Sequence, residues 1–386
     1  MKRNHTIGFE ANCVNQSGTG PYNHARSVIE AIAASNERNV YMRLYVNKRE
    51  SAPQEPSLDQ HINIETMEPD GSIWRKMTKL WNMWGVTRDA HRGGVELFHA
   101  LNNELPYGLS KYGIRSVVTI HDLMYLRYPS VVNIIERFTT RFTLRSACRR
   151  ADRIIAVSEC TKRDLVELLE IDAEKIDVIY PGCNPIFTQP MDREYIDEVR
   201  KKYELPARYI LNVGSQSSRK NVELIFDAMT KLDDEIHLVI VGNKTSHTNK
   251  LKRVAEKLNI DYMVHFVHNA NNKELAAIYR GAEMMVYPTL YSSFGMPIAE
   301  AISVGTPVIA ATGSSHEEAG GAAALYISPK DSSELAERID AVLHNEELRA
   351  EMIKRGYEHA SRFRPEVIAY NITNSYKRIG VNIMEW

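Results

Sequence analysis

Cysteine, net charge and long apolar runs are all scarce in this chain of 386 residues. Its four cysteines, Cys13, Cys148, Cys160 and Cys183, lie far apart and form no C-x-x-C pair. That spacing argues against a zinc site and against a disulfide framework. A reducing cytoplasm is the compartment we expect.

Neither sign of charge prevails. Lys and Arg number 48 and Asp and Glu number 49, which leaves a formal net charge of −1. No net field attracts a polyanion, so we expect no nucleic-acid partner, and any anionic ligand must be bound by local groups. No stretch approaches the roughly 18 consecutive apolar residues of a membrane span, and the first residues contain no secretory apolar region. We therefore expect neither a membrane-spanning segment nor secretion.

Short β-branched runs alternate with amphipathic stretches along the chain, which is typical of βαβ units and parallel sheets. At roughly 100–200 residues per domain, the length fits two domains. We predict an α/β protein with one doubly wound, Rossmann-like domain at residues 1–187 and a second at 188–365. A C-terminal helix at about 366–386 should pack back on the first domain. Two such sheets leave a cleft, and ligands of doubly wound sheets bind beyond the carboxyl ends of the strands.

One loop and helix in the second half have clear boundaries. Pro297 suits the first helical position, and Gly305 suits the position just past the helix end. The backbone N–H groups of Phe294, Gly295 and Met296, with the positive end of the helix dipole, predict a phosphate cradle.

Glu300 lies one turn into the same helix. Its carboxylate can accept two hydrogen bonds from a vicinal diol such as that of a ribose. A surface glutamate on a packing helix is the alternative interpretation.

A second loop places positive charge in an unusual position. After a predicted strand at Tyr209–Val213, which leads into Gly214, Arg219 and Lys220 directly precede Asn221, a candidate helix N-cap. Positive charge is unfavourable beside a helix N-terminus, and a bound diphosphate would explain it. A solvated basic loop is the alternative. The loop matches neither a Walker motif nor a dinucleotide-binding fingerprint.

The first half offers weaker candidates. His121 directly follows an apolar strand, where its imidazole can donate to a sugar hydroxyl or to a backbone carbonyl of a bound intermediate. A structural histidine is the alternative. Gly18 and Gly20 follow the first strand, where the backbone can approach a phosphate or an acceptor, or can simply form a flexible turn.

Aromatic and apolar residues at helical spacing run from Trp74 to Trp84, with basic residues on the other faces. This pattern predicts a helix that faces the core, and an interfacial membrane helix is the alternative. No His or Cys cluster proposes a metal site, and Asp233, Asp234 and Glu235 precede a strand, which is the wrong end for metal ligands.

The ordered set of these segments resembles the retaining GT-B glycosyltransferases of family 4. The motifs that carry the resemblance are Gly18-Thr19-Gly20-Pro21-Tyr22, His121-Asp122-Leu123, Ala156-Val157-Ser158-Glu159, Val213-Gly214, Arg219-Lys220-Asn221, Ser293-Phe294-Gly295-Met296-Pro297-Ile298-Ala299-Glu300-Ala301 and Gly305-Thr306-Pro307. The Arg-Lys-Asn and His-Asp-Leu segments are similar to those of bacterial mannosyltransferases.

This resemblance implies a role for each matching residue. Arg219 and Lys220 would hold the donor diphosphate, with Gly214, Glu300 and Glu318 on the nucleotide side. His121 would contact the donor sugar near the reacting carbon, and the loop of Gly18 and Gly20 would line the donor–acceptor cleft. The family commonly works without a metal, so no cofactor is expected besides the GDP- or UDP-sugar donor.

Ser292 departs from the family pattern. The paired-glutamate motif E-x7-E ends at Glu300, and Ser292 occupies the position of its first carboxylate. A hydroxyl can hydrogen-bond a sugar, but it cannot stabilise positive charge at the anomeric carbon. Two functions stay open. One is transfer of a hexosyl unit to a glycan or polyprenyl-linked glycan at the inner face of the plasma membrane. The other is a catalytically silent, nucleotide- or glycan-binding partner subunit.

Overall fold

The computed structural model describes residues 5–15, 20–35, 40–47, 63–128 and 134–383. The chain divides into two compact units. The first comprises Met1–Gly182 and Pro365–Trp386, and the second comprises Cys183–Arg364.

The first unit contains a seven-stranded parallel sheet in the order β3-β2-β1-β4-β5-β6-β7. Its strands are β1 (His5–Glu10), β2 (Val40–Tyr45), β3 (Ile64–Met67), β4 (Leu97–Ala100), β5 (Arg115–Ile120), β6 (Arg153–Ala156) and β7 (Ile176–Val178). Its helices are α1 (Gly20–Ser35), α2 (Ser72–Lys76), α3 (Thr78–Leu80), α4 (Val86–Arg92), α5 (Met124–Arg127), α6 (Ile134–Arg150) and α7 (Glu159–Leu169).

The second unit contains a six-stranded parallel sheet in the order β10-β9-β8-β11-β12-β13. Its strands are β8 (Tyr209–Val213), β9 (His237–Val241), β10 (Val264–Val267), β11 (Met284–Tyr287), β12 (Val308–Ala311) and β13 (Ala324–Ile327). Its helices are α8 (Arg193–Lys202), α9 (Val222–Met229), α10 (Ser246–Lys257), α11 (Asn272–Gly281), α12 (Met296–Ser303), α13 (His316–Gly320), α14 (Ser332–His344) and α15 (Glu346–Ala360).

Both sheets reverse their strand order next to the first strand, as doubly wound sheets do. The prediction of two Rossmann-like, doubly wound sheets is confirmed. Their central strands are apolar on both faces because helices cover both sides, and every residue of β8, β11 and β12 is buried. The sequence patterns missed two of the four edge strands, β3 and β13, which have only four residues each.

The last helix, α16 (Pro365–Lys377), belongs to the first unit, as predicted. Its Ile368, Ala369 and Ile372 are fully buried in the same core cluster as the inner face of α1. Tyr376 adds a 2.6 Å hydrogen bond between its hydroxyl and His99 Nδ1 at the end of β4. The apolar face of α16 is therefore part of the first unit's core.

The predicted helix from Trp74 to Trp84 is wrong as a single element. The segment is broken into α2, α3 and one turn of π-helix at Trp81–Gly85. Trp81 is fully buried, and its Nε1 donates to Asp89 at 2.8 Å. Met77 and Trp84 are exposed, so only part of the segment packs into the core.

Within the ranges given above, no helix combines the length and the apolar character that crossing a bilayer requires.

Candidate donor-binding site

The strand order places one crevice in the second unit, between β8 and β11. The connections from these neighbouring strands run to opposite sides of the sheet, so the loops that follow them separate at the carboxyl edge. Arg219 and Lys220 lie in the loop after β8. Tyr287 ends β11, and Ser292 lies in the loop after it. The sheet topology therefore gathers four polar side chains at one switch point.

Lys220 is the centre of this cluster. Its side chain is 7% exposed, and its Nζ donates to the Tyr287 hydroxyl at 2.8 Å. The stem of Lys220 lies against Gly214, where a Cβ atom would stand 2.6 Å from Lys220 Cε. Gly214 also has a φ of +135°, a backbone conformation in which any side chain is strained.

Tyr287 was not identified from the sequence. Burial is the largest single influence and raises the pKa of its phenol. The charge and hydrogen bond of Lys220, a hydrogen bond to Ser292 and the charge of Arg219 together outweigh burial, so the net shift of the pKa is downward. A polar aromatic residue as the last residue of a buried strand, directly before Pro288, is the signal that could have identified it.

Arg219 connects the same two loops. Its Nη1 donates to the backbone carbonyl of Tyr291 at 2.6 Å, and its own carbonyl accepts from Leu290 N at 2.9 Å. No carboxylate in the described parts of the chain lies within 4.0 Å of the charged groups of Arg219 or Lys220. Two cations without a carboxylate partner provide the electrostatic requirement for an anion site.

Asn221 does not cap α9 with its side chain, contrary to the prediction. The residue adopts a left-handed backbone with φ +55°. Its Nδ2 donates instead to the carbonyls of Pro288 at 3.2 Å and Pro329 at 2.8 Å. Asn221 therefore ties the β8 loop to the neighbouring loops.

The phosphate-cradle residues are at the start of α12. The helix begins at Met296, one residue before the predicted Pro297, and Gly295 precedes it with φ +92°. The Phe294 side chain is buried edge-on against Phe363 with ring centroids 5.3 Å apart. Burial of Phe294 fixes the backbone of this turn. Because α12 follows β11 along the chain, its N-terminal end lies at the same carboxyl edge of the sheet as Lys220.

Glu300 is buried rather than on the surface. It is 7% exposed, and Oε2 accepts a 3.0 Å hydrogen bond from the Tyr279 hydroxyl. Burial raises the pKa of Glu300 to about 7, although Tyr279 and the charge of Lys220 oppose the shift. The alternative of a surface glutamate is therefore wrong, and the side chain is balanced between its charged and neutral forms near neutral pH.

The loop of Ser292 is held by the loop that follows β12. Ser292 N donates to Ser314 Oγ at 2.9 Å, and the hydroxyls of Ser314 and Ser315 donate back to the Ser292 carbonyl at 2.6 and 2.7 Å. Glu318 follows in α13, where its backbone carbonyl accepts from His359 Nε2 at 2.9 Å. These contacts fix the backbone on which both predicted residues stand.

Three buried polar atoms in the segments that follow β8, β11 and β12 have no hydrogen-bond partner among the described residues. They are Gln216 Nε2, Thr289 Oγ1 and His316 Nε2, and they follow β8, β11 and β12 respectively. Buried polar atoms are normally hydrogen-bonded, and leaving one unpaired costs about 1–3 kcal/mol. Their grouping at the carboxyl edge of three adjacent strands points to a ligand-binding edge.

His121 lies in the first unit, directly after β5. Its Nε2 lies 2.8 Å from the Leu101 carbonyl, which can only accept, so Nε2 carries the proton. Burial lowers the pKa of His121 and keeps the ring neutral. The predicted donation to a ligand therefore needs correction: Nε2 is already used, and Nδ1 of this neutral tautomer can only accept.

The glycines after the first strand are only partly covered. Gly20 is the first residue of α1, and Gly18 lies outside the described residues. Within the described ranges, no group of three or more His, Cys, Asp or Glu side chains could hold a metal ion.

Two family models match the chain in succession. Residues 23–186 match Glycosyltransferase Family 4, and residues 195–359 match Glycosyl transferases group 1. Between them they cover most of the sequence. The chain belongs to glycosyltransferase family 4, and it is a glycosyltransferase.

Two of the matching relatives come from bacteria. The chain is 27% identical over 263 residues to the O-antigen chain mannosyltransferase RfbU of Salmonella typhimurium, covering 68% of this chain and 67% of that protein. It is 26% identical over 291 residues to the O-antigen chain mannosyltransferase B of Escherichia coli, covering 73% and 74%. HepE of Anabaena, solved in complex with UDP and glucose, is 18% identical and has a TM-score of 0.74, covering 97% of this chain and 100% of that chain. This structural likeness supports the GT-B fold.

Proposed function

We propose that this protein is a retaining hexosyltransferase. In this proposal it transfers a sugar from a GDP- or UDP-sugar to a glycan or polyprenyl-linked glycan during surface polysaccharide assembly. Mannose is the first sugar to test, because the two relatives above carry the name O-antigen chain mannosyltransferase. UDP-sugars belong in the same test, because HepE was solved with UDP and glucose.

The observation that carries the proposal is the pair Arg219 and Lys220. The buried Lys220 ammonium is bonded to the phenol of Tyr287, and the Arg219 guanidinium is bonded to the backbone carbonyl of Tyr291. Neither bond supplies negative charge, so both positive charges remain to be neutralised. A diphosphate supplies two anionic groups for these two cations, and the N-terminal end of α12 adds its dipole. Glu300 would accept from the ribose hydroxyls at the other end of the nucleotide.

Ser292 motivates a second candidate, a nucleotide- or glycan-binding subunit without turnover. Its hydroxyl is hydrogen-bonded to Tyr287, and it brings no negative charge to the anomeric carbon. The two candidates share the binding site and differ in catalysis.

Nucleotide release separates them. The protein is incubated with a panel of GDP- and UDP-sugars, and the free nucleoside diphosphate is measured with and without polyprenyl-linked glycan. Release with one donor, even slow hydrolysis without acceptor, supports the transferase. Tight nucleotide binding with no release from any donor supports the silent subunit. A lack of nucleotide binding contradicts the transferase and leaves only a subunit that binds glycan.

A peripheral contact with an anionic membrane surface extends the proposal, because a polyprenyl-linked acceptor resides in a bilayer. On α6, Ile135, Phe138 and Phe142 are each about 70% exposed and are spaced three and four residues apart, on one face of the helix. The helix also carries Arg137 and Arg141 next to the two phenylalanines. Exposed aromatic residues beside arginines are the features with which a helix lies on an anionic bilayer. This stripe is larger than the one that the segment from Trp74 to Trp84 exposes.

The cytoplasm remains the proposed location. All four cysteines are free and buried, which suits a compartment where thiols stay reduced.

A further inference from the structure

His316 lies at the candidate donor site and has no role in the proposal above. It is the first residue of α13 and follows β12 at the carboxyl edge of the second unit's sheet. Its side chain is fully buried. Nδ1 lies 2.8 Å from the Ala311 carbonyl, which can only accept, so Nδ1 carries a proton.

The other ring nitrogen is an unused acceptor. Burial, together with the charges of Lys220 and Arg219, lowers the pKa of His316 to about 4, against the opposing bond to Ala311. The ring is therefore neutral at pH 7, and Nε2 is a bare lone pair. That atom is buried and has no hydrogen-bond partner in the described structure.

The contacts of the ring place it beside the phosphate-binding groups. The ring meets Tyr287 edge-on, with centroids 5.2 Å apart and planes at 81°. The Cδ2 atom, which is bonded to Nε2, would lie 3.4 Å from a Cβ built on Gly295 at the start of α12. Tyr287 in turn binds Lys220 and Ser292. His316, Ser292 and Lys220 thus surround one phenol.

An unprotonated ring nitrogen can only accept a hydrogen bond, so it binds ligand groups that donate one. Diphosphate oxygens are acceptors and cannot bond to an unprotonated Nε2, whereas a hydroxyl group can donate to it. The ribose hydroxyls have a buried acceptor in Glu300, further along α12. The remaining hydroxyls of a nucleotide-sugar are those of the transferred sugar, which is attached directly to the diphosphate.

We propose that Nε2 of His316 accepts a hydrogen bond from one hydroxyl of the donor's sugar and so determines which sugar is bound. This inference rests on the proposed function, because it assumes a nucleotide-sugar donor. A site that hydrogen-bonds a hydroxyl discriminates against the analogue that lacks it, since the buried acceptor is then left unpaired.

Binding of deoxy analogues tests the inference. The wild-type protein, His316→Phe and His316→Gln are titrated with the nucleoside diphosphate, the nucleotide-sugar and its singly deoxygenated analogues. Phe keeps a ring but removes the acceptor, whereas Gln can place an oxygen near the position of Nε2. His265→Phe on β10 serves as the control, because His265 pairs with His237 at the sheet edge.

For one analogue, wild type should lose about 2- to 12-fold in affinity relative to the full sugar, the range for one neutral hydrogen bond. His316→Phe should lose that discrimination while binding the free nucleoside diphosphate as tightly as wild type. His316→Gln should recover part of it, and His265→Phe should retain all of it.

Four outcomes would overturn the inference. His316→Phe could keep the full discrimination, or weaken the diphosphate and the sugar nucleotide equally, which would indicate a structural role only. If His316→Phe does not fold, His316→Gln and His316→Leu replace it in the test. Unchanged discrimination among the analogues in both variants, with no loss of affinity, would refute the inference. A wild-type protein that binds no nucleotide-sugar would instead refute the proposed function itself, and this inference with it.

Discussion

Burial makes the protonation state of Glu300 sensitive to pH near neutrality. Its pKa is raised to about 7, so the folded protein binds a proton that the unfolded chain releases near pH 4.5. The free energy of unfolding therefore falls as the pH rises from about 4.5 to 7 and then levels off. The total loss is about 1.4 kcal/mol for each unit by which the folded and unfolded pKa values of Glu300 differ.

Glu300→Gln removes this titration. We expect the variant to be more stable than wild type at pH 8, by up to about 3 kcal/mol, and equally stable near pH 4. Denaturant unfolding at both pH values measures the difference. Glu10, whose pKa is also raised to about 7, titrates in both proteins, so its contribution cancels from the difference in stability between wild type and variant.

The same variant tests the ribose role. Because a neutral amide accepts weaker hydrogen bonds than a carboxylate, nucleotide affinity should fall at pH 8. Glu256→Gln, on the exposed face of α10, is the control. Unchanged nucleotide affinity in a folded Glu300→Gln protein would rule out contact with the ribose.

Arg219 and Lys220 give a second prediction. Replacing both with alanine should cost several kcal/mol of diphosphate binding, since each charge-assisted contact is worth about 1.5–3 kcal/mol. Calorimetry with a nucleoside and its diphosphate measures the loss, and the variant should bind the two equally. The exposed pair Lys252 and Arg253 on α10 offers a matched double-alanine control. A preserved preference for the diphosphate would refute the assignment.

Among the helices, α6 shows how one element can carry both core and surface functions. Leu144, Ala147 and Cys148 bury one face in the first unit, whereas Phe138 and Phe142 remain exposed. The apolar residues on the exposed face do not contribute to that core, so they are free to contact a membrane surface.

Phe138→Ser together with Phe142→Ser should reduce binding to vesicles that contain anionic phospholipid by at least about tenfold, because burying each ring contributes about 1.5–3 kcal/mol. Vesicle sedimentation measures the change. Tyr262→Ser, which removes an exposed aromatic residue from the second unit, should leave it unaltered. Equal partitioning of all three proteins would remove α6 from the proposed contact.

The chain leaves the first unit at residue 182 and returns to it with α16, whose apolar face completes the first unit's core. Ile372→Ala should destabilise the first unit by about 2–5 kcal/mol through the cavity it leaves. Hydrogen exchange should show lost protection in β1, β2 and β4, with β8 and β11 retained.

Ile339→Ala supplies the reverse test. Ile339 is fully buried in the core of the second unit, so its truncation should expose amides of β8 and β9 instead. If Ile372→Ala lowered protection equally in both sheets, the two cores would not be independent.

Local patterns in the sequence were sufficient for most of the repeated strand and helix elements, although they missed β3 and β13, and hence for the two doubly wound sheets. They also located the loop of Arg219 and Lys220 and the short helix before Gly305, which has φ +83° as its position past the helix end requires. Periodicity and turn chemistry act over a few residues, so they can be read directly from neighbouring letters.

Only the tertiary structure decided which side chains meet and which are buried. Lys220 and Tyr287 are 67 positions apart, and Tyr376 and His99 are 277 apart. The pKa of Glu300 and the bare Nε2 of His316 depend on desolvation by elements from distant parts of the chain. Packing sets these properties, because the free energy of a charge or a lone pair depends on everything that surrounds it in space.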